Sequence, residues 1–259
     1  MRYSVIITAY NGIANSLRCL ESLYQFSENS TFECIFINDG STDETELKLN
    51  EFKKNHKSLI VISHVDNKGP IVRRNEGIKE AQGEYIVFLD NDTQCTGDIL
   101  STMHKKISSL PNAGIVGMCG IFLPDMHNSY HIHASQVKRD IQVDAVPTYC
   151  MMVSRKVIEE GIRFDEVLHF MQHEDVDFCL QASAHNFLIY SLSDIPLTHF
   201  EHGSRISYKN RYEKDFTYNW QYLIHKWKEY NSQKTNKSLP HMKAILSKNI
   251  PNAKFYDFS

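Results

Sequence analysis

The chain has no cysteine pair spaced as CxxC, no apolar run near the length of a membrane span, no excess of basic charge and no internal repeat. Each absence removes a class of protein. Six cysteines stand at 19, 34, 95, 119, 150 and 179, several inside apolar runs. That pattern argues against a zinc site and reads as reduced, buried thiols in a cytoplasmic protein. A membrane-crossing helix needs about 20 apolar residues. None is present, so any membrane contact is expected to be peripheral. The formal net charge is −3, which gives no global basic field, and nucleic acid is not expected as a partner. Met1-Arg2-Tyr3-Ser4 runs straight into a strand-like segment, and we expect no signal peptide ahead of it.

What is present suits one large α/β domain, or one domain with a small appendage: 259 residues, 42% of them hydrophobic. Apolar runs at Val5-Ile6-Ile7, Cys34-Ile35-Phe36-Ile37, Leu59-Ile60-Val61-Ile62 and Tyr85-Ile86-Val87-Phe88-Leu89 read as buried strands. Helical spacing lies between them: Leu17, Leu20, Leu23 and Tyr24; then Thr42 to Phe52, with Ser41 or Thr42 as N-cap; then a helix from about Pro70. Strands apolar on both faces, alternating with helices, imply a mostly parallel sheet flanked by helices. Ligands bind such sheets beyond the carboxyl ends of the strands. Three polar clusters stand there: Thr8-Ala9-Tyr10-Asn11, Asn38-Asp39-Gly40-Ser41 and Asp90-Asn91-Asp92.

The second half is less regular. Ile115 to Met118 and Tyr149 to Val153 read as strands, and Glu174 to Ala184 as a helix. Residues 124–146 read as a long polar excursion carrying His127, His131 and His133. With no cysteine or second ligand group adjoining them, these histidines read as a loop facing a substrate, not a zinc site. Phe216, Trp220, Leu223 and Trp227 form a helical stripe, and the tail beyond it is rich in Lys, Asn and Ser.

Two carboxylates one residue apart at a strand end, as Asp90 and Asp92 are, can hold a hard divalent cation. The spacing recurs at Asp175-Val176-Asp177, so position after a buried strand is what singles out the first pair. In order along the chain, Ser4-Val5-Ile6-Ile7-Thr8-Ala9-Tyr10-Asn11, Ile37-Asn38-Asp39-Gly40-Ser41-Thr42-Asp43, Arg74-Asn75-Glu76-Gly77-Ile78 with Ala81 to Asp92, Phe164-Asp165-Glu166, Glu174-Asp175-Val176-Asp177, His199-Phe200-Glu201 with Ser204-Arg205, and Asn219 to Lys226-Trp227 resemble the motifs of family-2 glycosyltransferases. The resemblance covers about residues 3–227 and leaves 120–146 and the tail unmatched.

The resemblance implies a single GT-A domain over 1–227, with a Rossmann-like nucleotide-sugar half in 1–95, an acceptor half in 96–227 and an appendage at 228–259. It implies inverting transfer of a sugar from a nucleotide diphosphate sugar, with UDP favoured, to a hydroxyl of a glycan, lipid-linked or glycoprotein acceptor. Mn²⁺ or Mg²⁺ is the implied cofactor. Thr8, Tyr10 and Asp39 would hold the nucleobase, Asn91 a ribose hydroxyl and Arg74 the diphosphate, while Arg73, about 100° round the helix, would point away. Asp90, Asp92 and His199 would serve the metal, with His202 as a rival to His199. Spacing does not choose among Glu174, Asp175 and Asp177 for the catalytic base; the resemblance selects Asp175, with Glu174 beside it. Two other readings stay open: a nucleotidyltransferase, against which the single glycine and missing positive charge of Thr8 to Gly12 count, and an inactive binding module of the same fold.

Overall fold

The computed structural model describes residues 2–170, 172–200, 209–228 and 254–257. The motif residues Glu201, His202, Ser204 and Arg205 lie outside them. The first half alternates strand and helix: β1 Tyr3–Ala9, α1 Ile13–Phe26, β2 Phe32–Asp39, α2 Thr45–Lys53, β3 Leu59–His64, α3 Pro70–Glu80 and β4 Tyr85–Leu89. Beyond β4 come β5 Thr93–Cys95, α4 Ile99–Ser109, β6 Ala113–Gly117, β7 Gly120–Asp125, β8 Asn128–Ile132, a 3₁₀ turn at Ala134–Gln136, β9 Ile141–Val143, β10 Cys150–Ser154, α5 Arg155–Glu159, α6 Glu174–Ala184, β11 Leu188–Ser191, β12 Leu197–His199, α7 Lys209–Lys226 and β13 Lys254–Asp257.

Eight strands form the central sheet in the order β3-β2-β1-β4-β10-β6-β11-β9. β3, β2, β1 and β4 run parallel, as do β6 and β11, while β10 is antiparallel to both β4 and β6. The period of two that governs a strand sorts its side chains onto two cores. Ile6, Ile35, Ile37, Ile86, Phe88, Met151 and Val153 face α3, α5, α6 and α7. Val5, Ile7, Cys34, Phe36, Val87, Leu89, Cys150 and Met152 face α1, α2 and α4. The fold class expected from the apolar runs is the one observed. The chain winds outward from β1 to β3 and returns to β4 on the other side of β1. The ends of β2, β1 and β4, which carry the three polar clusters, therefore stand side by side at the switch point where such sheets bind ligands.

Two expectations change. The helix after β2 begins at Thr45 rather than Thr42, because residues 41–43 are drawn across to the loop after β1. Asn11 N donates to Ser41 Oγ (2.8 Å), Thr42 N donates to Asn11 Oδ1 (2.8 Å) and Gly12 N donates to Asp43 Oδ2 (2.9 Å). Asp43 thus sits as an anion at the start of α1. The excursion at 124–146 is packed rather than merely polar. β7 and β8 form a hairpin, and Leu123, Met126, Ile132, Val137 and Val143 are buried in the core; β13 pairs with β8 on its other edge. His127 and His133 are exposed and His131 is half-buried. No helix among the described residues is long and apolar enough to cross a membrane.

At the opposite end of the sheet Gly83 meets the first strand so closely that a Cβ there would lie 2.5 Å from Ser4 N and 2.6 Å from Tyr3 C. Its N–H donates to Ser4 Oγ, which donates in turn to the buried Glu33 carboxylate. The obstacle is backbone and cannot rotate away. Gly83→Ala is expected to lower unfolding stability by about 1–3 kcal/mol, the usual range for overpacking. Urea unfolding with an unchanged m-value would register it as a lower midpoint; a wild-type midpoint would show that the turn relaxes freely.

Candidate active site

The rim of the sheet is organised by two consecutive arginines near the start of α3. Arg73 was expected to point away, but it is buried, as is Arg74. Arg73 Nε donates to Asp39 Oδ1 at 2.6 Å, Nη1 to Glu76 Oε2 at 3.2 Å and Nη2 to the Asp66 carbonyl at 2.8 Å. The helix start sits in the crevice between strand ends, so both of its flanks are covered and the 100° between neighbours serves two strands. Asp39 also accepts from Lys68 N (3.0 Å) and Gly69 N (2.7 Å). The residue expected at the nucleobase is therefore first the clamp of the β3–α3 loop; Oδ2, with one donor, retains a lone pair for a ligand. Gly40, at φ +77°, fits beneath that loop because a Cβ would lie 2.9 Å from Asn67 N.

Arg74 Nη2 donates to Asp90 Oδ1 at 3.0 Å and Nη1 to Glu174 Oε1 at 2.7 Å. One guanidinium thereby joins the end of β4 to the start of α6, with Glu174 lying 100 residues beyond Arg74 in the chain. Burial raises the Asp90 carboxyl above its ordinary range; Arg74 offsets this in part, and Asp92 adds to it by repulsion.

The late histidine arrives by a short ribbon. β12 pairs antiparallel with β5, with His199 opposite Thr93, and Phe200 N donates to the Asp92 carbonyl at 2.9 Å. His199 Nε2 lies 3.3 Å from Asp92 Oδ1. One ligand atom from each of Asp90, Asp92 and His199 falls within 4.8 Å of the others. Two carboxylate oxygens and an imidazole nitrogen suit Mn²⁺ or Mg²⁺. The mutual repulsion of Asp90 and Asp92 is a charge excess that a divalent cation would relieve, so these residues fit the expected metal. Thr8 and Tyr10 stand at the end of β1, with Tyr10 40% exposed and able to offer a ring face. Asn91, expected at a ribose hydroxyl, donates through Nδ2 to Ser16 Oγ at 3.0 Å in this structure.

The acidic start of α6 divides into three fates. Glu174 pairs with Arg74. Asp177 is fully buried and accepts from Lys226 Nζ, Trp227 Nε1 (2.8 Å) and Gln181 Nε2 (2.7 Å). Asp175 forms no ion pair among the described residues; Val176 N donates to its Oδ1 at 2.8 Å. Burial, and then the neighbouring Glu174 charge, push the Asp175 carboxyl up to about 7. Sequence reasoning gave no role to the residues that set this segment in place. Asn219, wholly buried, binds His169 N and O and Gln172 O. Asn75 binds Phe164 N and O, and Lys226 spans Asp165 and Asp177. The signal was present as Asn and Lys interrupting apolar helical stripes, where a solvated polar residue and a buried one look alike.

The mostly parallel sheet flanked by helices, with acidic groups at the carboxyl ends of its central strands, is shared with GT-A glycosyltransferases of known structure. The chain belongs to the family described as glycosyl transferase family 2, whose sequence profile matches residues 4–162. It is 39% identical over 94 residues to the poly(ribitol-phosphate) β-glucosyltransferase of Bacillus spizizenii, an alignment covering 36% of this chain and 15% of that protein. It superposes on S. aureus TarS residues 1–349 in complex with UDP at a TM-score of 0.59 with 26% identity, over 75% of this chain and 58% of that one. A mannosyltransferase from Pyrobaculum calidifontis, in complex with GDP-mannose and Mn²⁺, shares the fold at a TM-score of 0.66 with 15% identity, over 86% of this chain and 64% of that one. The chain thus aligns with a minor part of its curated relative's length.

The α7 clamp gives a stability test. Lys226→Met leaves the buried Asp177 charge with only neutral donors. Breaking a buried pair from one side costs about 3–5 kcal/mol; the partial exposure of Lys226 reduces our expectation to about 2 kcal/mol. Guanidinium unfolding should show that loss, and a wild-type midpoint would mean that Trp227 and Gln181 suffice.

Proposed function

We propose that the chain is a metal-dependent, inverting glycosyltransferase that moves a sugar from a nucleotide diphosphate sugar, with UDP favoured, to a hydroxyl of a glycan, lipid-linked or glycoprotein acceptor. The observation that carries this reading is the Arg74 bridge. It sets the Asp90–Asp92–His199 cluster beside Glu174 and hence one residue from Asp175, a carboxylate with no ion pair among the described residues and a raised proton affinity. A leaving-group site and a candidate base then share one rim. UDP is supported by the likeness to the UDP-bound S. aureus protein, and a glycan-like acceptor by the name of the Bacillus relative. In this reading residues 1–95 hold the donor, 96–227 hold the acceptor and 228–259 are an appendage.

The chemistry assigns one task to each group. Tyr10 offers its exposed ring to the base, Thr8 and the spare lone pair of Asp39 take polar atoms of the base, and Asn91 takes a ribose hydroxyl once it turns from Ser16. Asp90, Asp92 and His199 would hold Mn²⁺ or Mg²⁺, which when bound neutralises charge on the diphosphate. Arg74 adds a fixed cation next to that charge. The acceptor oxygen attacks the anomeric carbon on the face opposite the diphosphate, the bond to the diphosphate breaks with its electron pair, and Asp175 takes the acceptor's proton. Glu174 keeps the Asp175 carboxyl basic by repulsion and holds Arg74 in place.

This division of labour can be tested at two residues. Asp92→Asn should abolish Mn²⁺-dependent UDP binding in isothermal titration while thermal unfolding without ligand stays near wild type; unchanged affinity would remove Asp92 from the metal site. Asp175→Asn should lower turnover by about 10²–10⁴-fold, the usual share of a general base, with donor affinity unchanged. A base works ionised, so wild-type turnover should fall as pH drops through about 7. Glu174→Gln removes a repelling charge and should move that acid limb to lower pH. A limb that stays in place, or full activity of Asp175→Asn, would take the role of base away from Asp175.

A further inference from the structure

The histidine of the acidic cluster is not held by polar contacts alone. Tyr149 lies immediately before β10, and the pairing of Cys150 with Leu89 sets it opposite Asp90. Its carbonyl accepts from Asp90 N at 3.2 Å. Its ring stacks on the His199 imidazole, with centroids 4.2 Å apart and planes 16° from parallel. Its hydroxyl donates to Cys119 Sγ, which ties the far edge of the ring to the loop after β6. The tyrosine is thus fixed at its backbone by the strand that bears Asp90 and at its hydroxyl by the β6–β7 turn, and between these anchors it presents a flat face to the imidazole.

We propose that Tyr149 is the positioning residue for His199: its ring sets the plane of the imidazole so that Nε2 faces Asp92 before any cation arrives. This rests on the reading that Asp90, Asp92 and His199 hold the metal. The physical reason is the rotational freedom of a histidine ring at the end of a three-residue strand. Removing the neighbouring plane widens the ring's rotation about its Cβ–Cγ bond, and Nε2 is aimed at the cluster for a smaller part of the time. Offset parallel stacking is a favoured arrangement of aromatic planes and restricts that rotation. Groups that orient a metal-bound histidine typically matter by about 10–100-fold in metal affinity or activity. They more often act through the second ring nitrogen; Tyr149 adds a constraint on the ring plane. The hydroxyl is secondary in this account, because phenylalanine keeps the plane and the backbone bond to Asp90.

The test is titration of Mn²⁺ into the UDP-saturated protein, followed by calorimetry or by the free-Mn²⁺ electron paramagnetic resonance signal. The set is wild type, His199→Ala, Tyr149→Phe, Tyr149→Leu and the double variant Tyr149→Leu/His199→Ala, with thermal unfolding recorded for each. Tyr149→Leu should weaken Mn²⁺ about tenfold and Tyr149→Phe should restore affinity close to wild type. The double variant should bind no more weakly than His199→Ala alone, since the tyrosine acts through the histidine. A merely structural role would lower unfolding temperature without moving the Mn²⁺ isotherm. His199→Ala weakened with Tyr149→Leu at wild-type affinity, or losses that add in the double variant, would overturn the inference and leave the metal site standing. Wild-type Mn²⁺ affinity in His199→Ala would instead remove the histidine from the metal, and the positioning role falls with it. Should Tyr149→Leu fail to fold, Tyr149→Met fills the same place without a plane and is expected to weaken Mn²⁺; wild-type affinity there overturns the inference equally.

Discussion

Arg74 is the constraint on which the site depends. It is a buried cation whose two carboxylate partners belong to elements far apart in sequence, Asp90 at the end of β4 and Glu174 at the start of α6. A charge removed from water must find partners or lose its ionisation, so the guanidinium holds the two elements at one separation. Lysine could not do the same, because a single ammonium lacks the fixed fork that reaches two carboxylates in two directions. Arg73 repeats the device one residue earlier, on Asp39. The start of α3 is therefore stitched to β2 and to β4 at once, and the crevice between them keeps its width.

The acidic segment of α6 shows how neighbours of one chemical type acquire different properties. Glu174, Asp175 and Asp177 all lie in the first turn, yet the first is paired with Arg74 and the third with Lys226. Both flanks commit their charge to structure. Asp175, between them, feels burial and one negative neighbour, and its proton affinity rises. The difference comes from what faces each side chain, since the helix backbone treats all three alike.

Much of this was legible in the sequence. Apolar runs of strand length, separated by helical spacing, marked out the central sheet, because a buried parallel strand has no polar face to confuse the pattern. The polar clusters at the strand ends were legible for the same reason, as abrupt changes from apolar to polar. Features built from few residues were not. β5 and β12 have three residues each, too short for any period to register, yet they carry His199 to Asp92. Arg73 was misread because a helical wheel supposes one buried side, whereas the start of α3 is covered on two. The late start of α2 depended on Asn11, remote in sequence, meeting Ser41 and Thr42, a pairing that no local window contains. Most apolar residues of 124–146 are spread among polar ones, and their burial comes from the β7–β8 hairpin and the loop after it packing onto the main core.

The antiparallel placement of β10 bears on how such a protein can change over evolutionary time. β1 and β4, parallel to each other, leave the sheet at the rim that carries the polar clusters, so the segments leading out of them must serve both that rim and the next crossover. β10 arrives at that rim from outside. The chain between β6 and β10 is therefore delivered to the rim rather than linking the strands that carry the polar clusters. Insertions or deletions in the β7–β8 hairpin, away from β9 and Tyr149, would change that segment without shifting the register of β1, β2 or β4. If the proposed function holds, a new acceptor could be met by changes in that hairpin while Asp39, Asp90 and Asp92 keep their places.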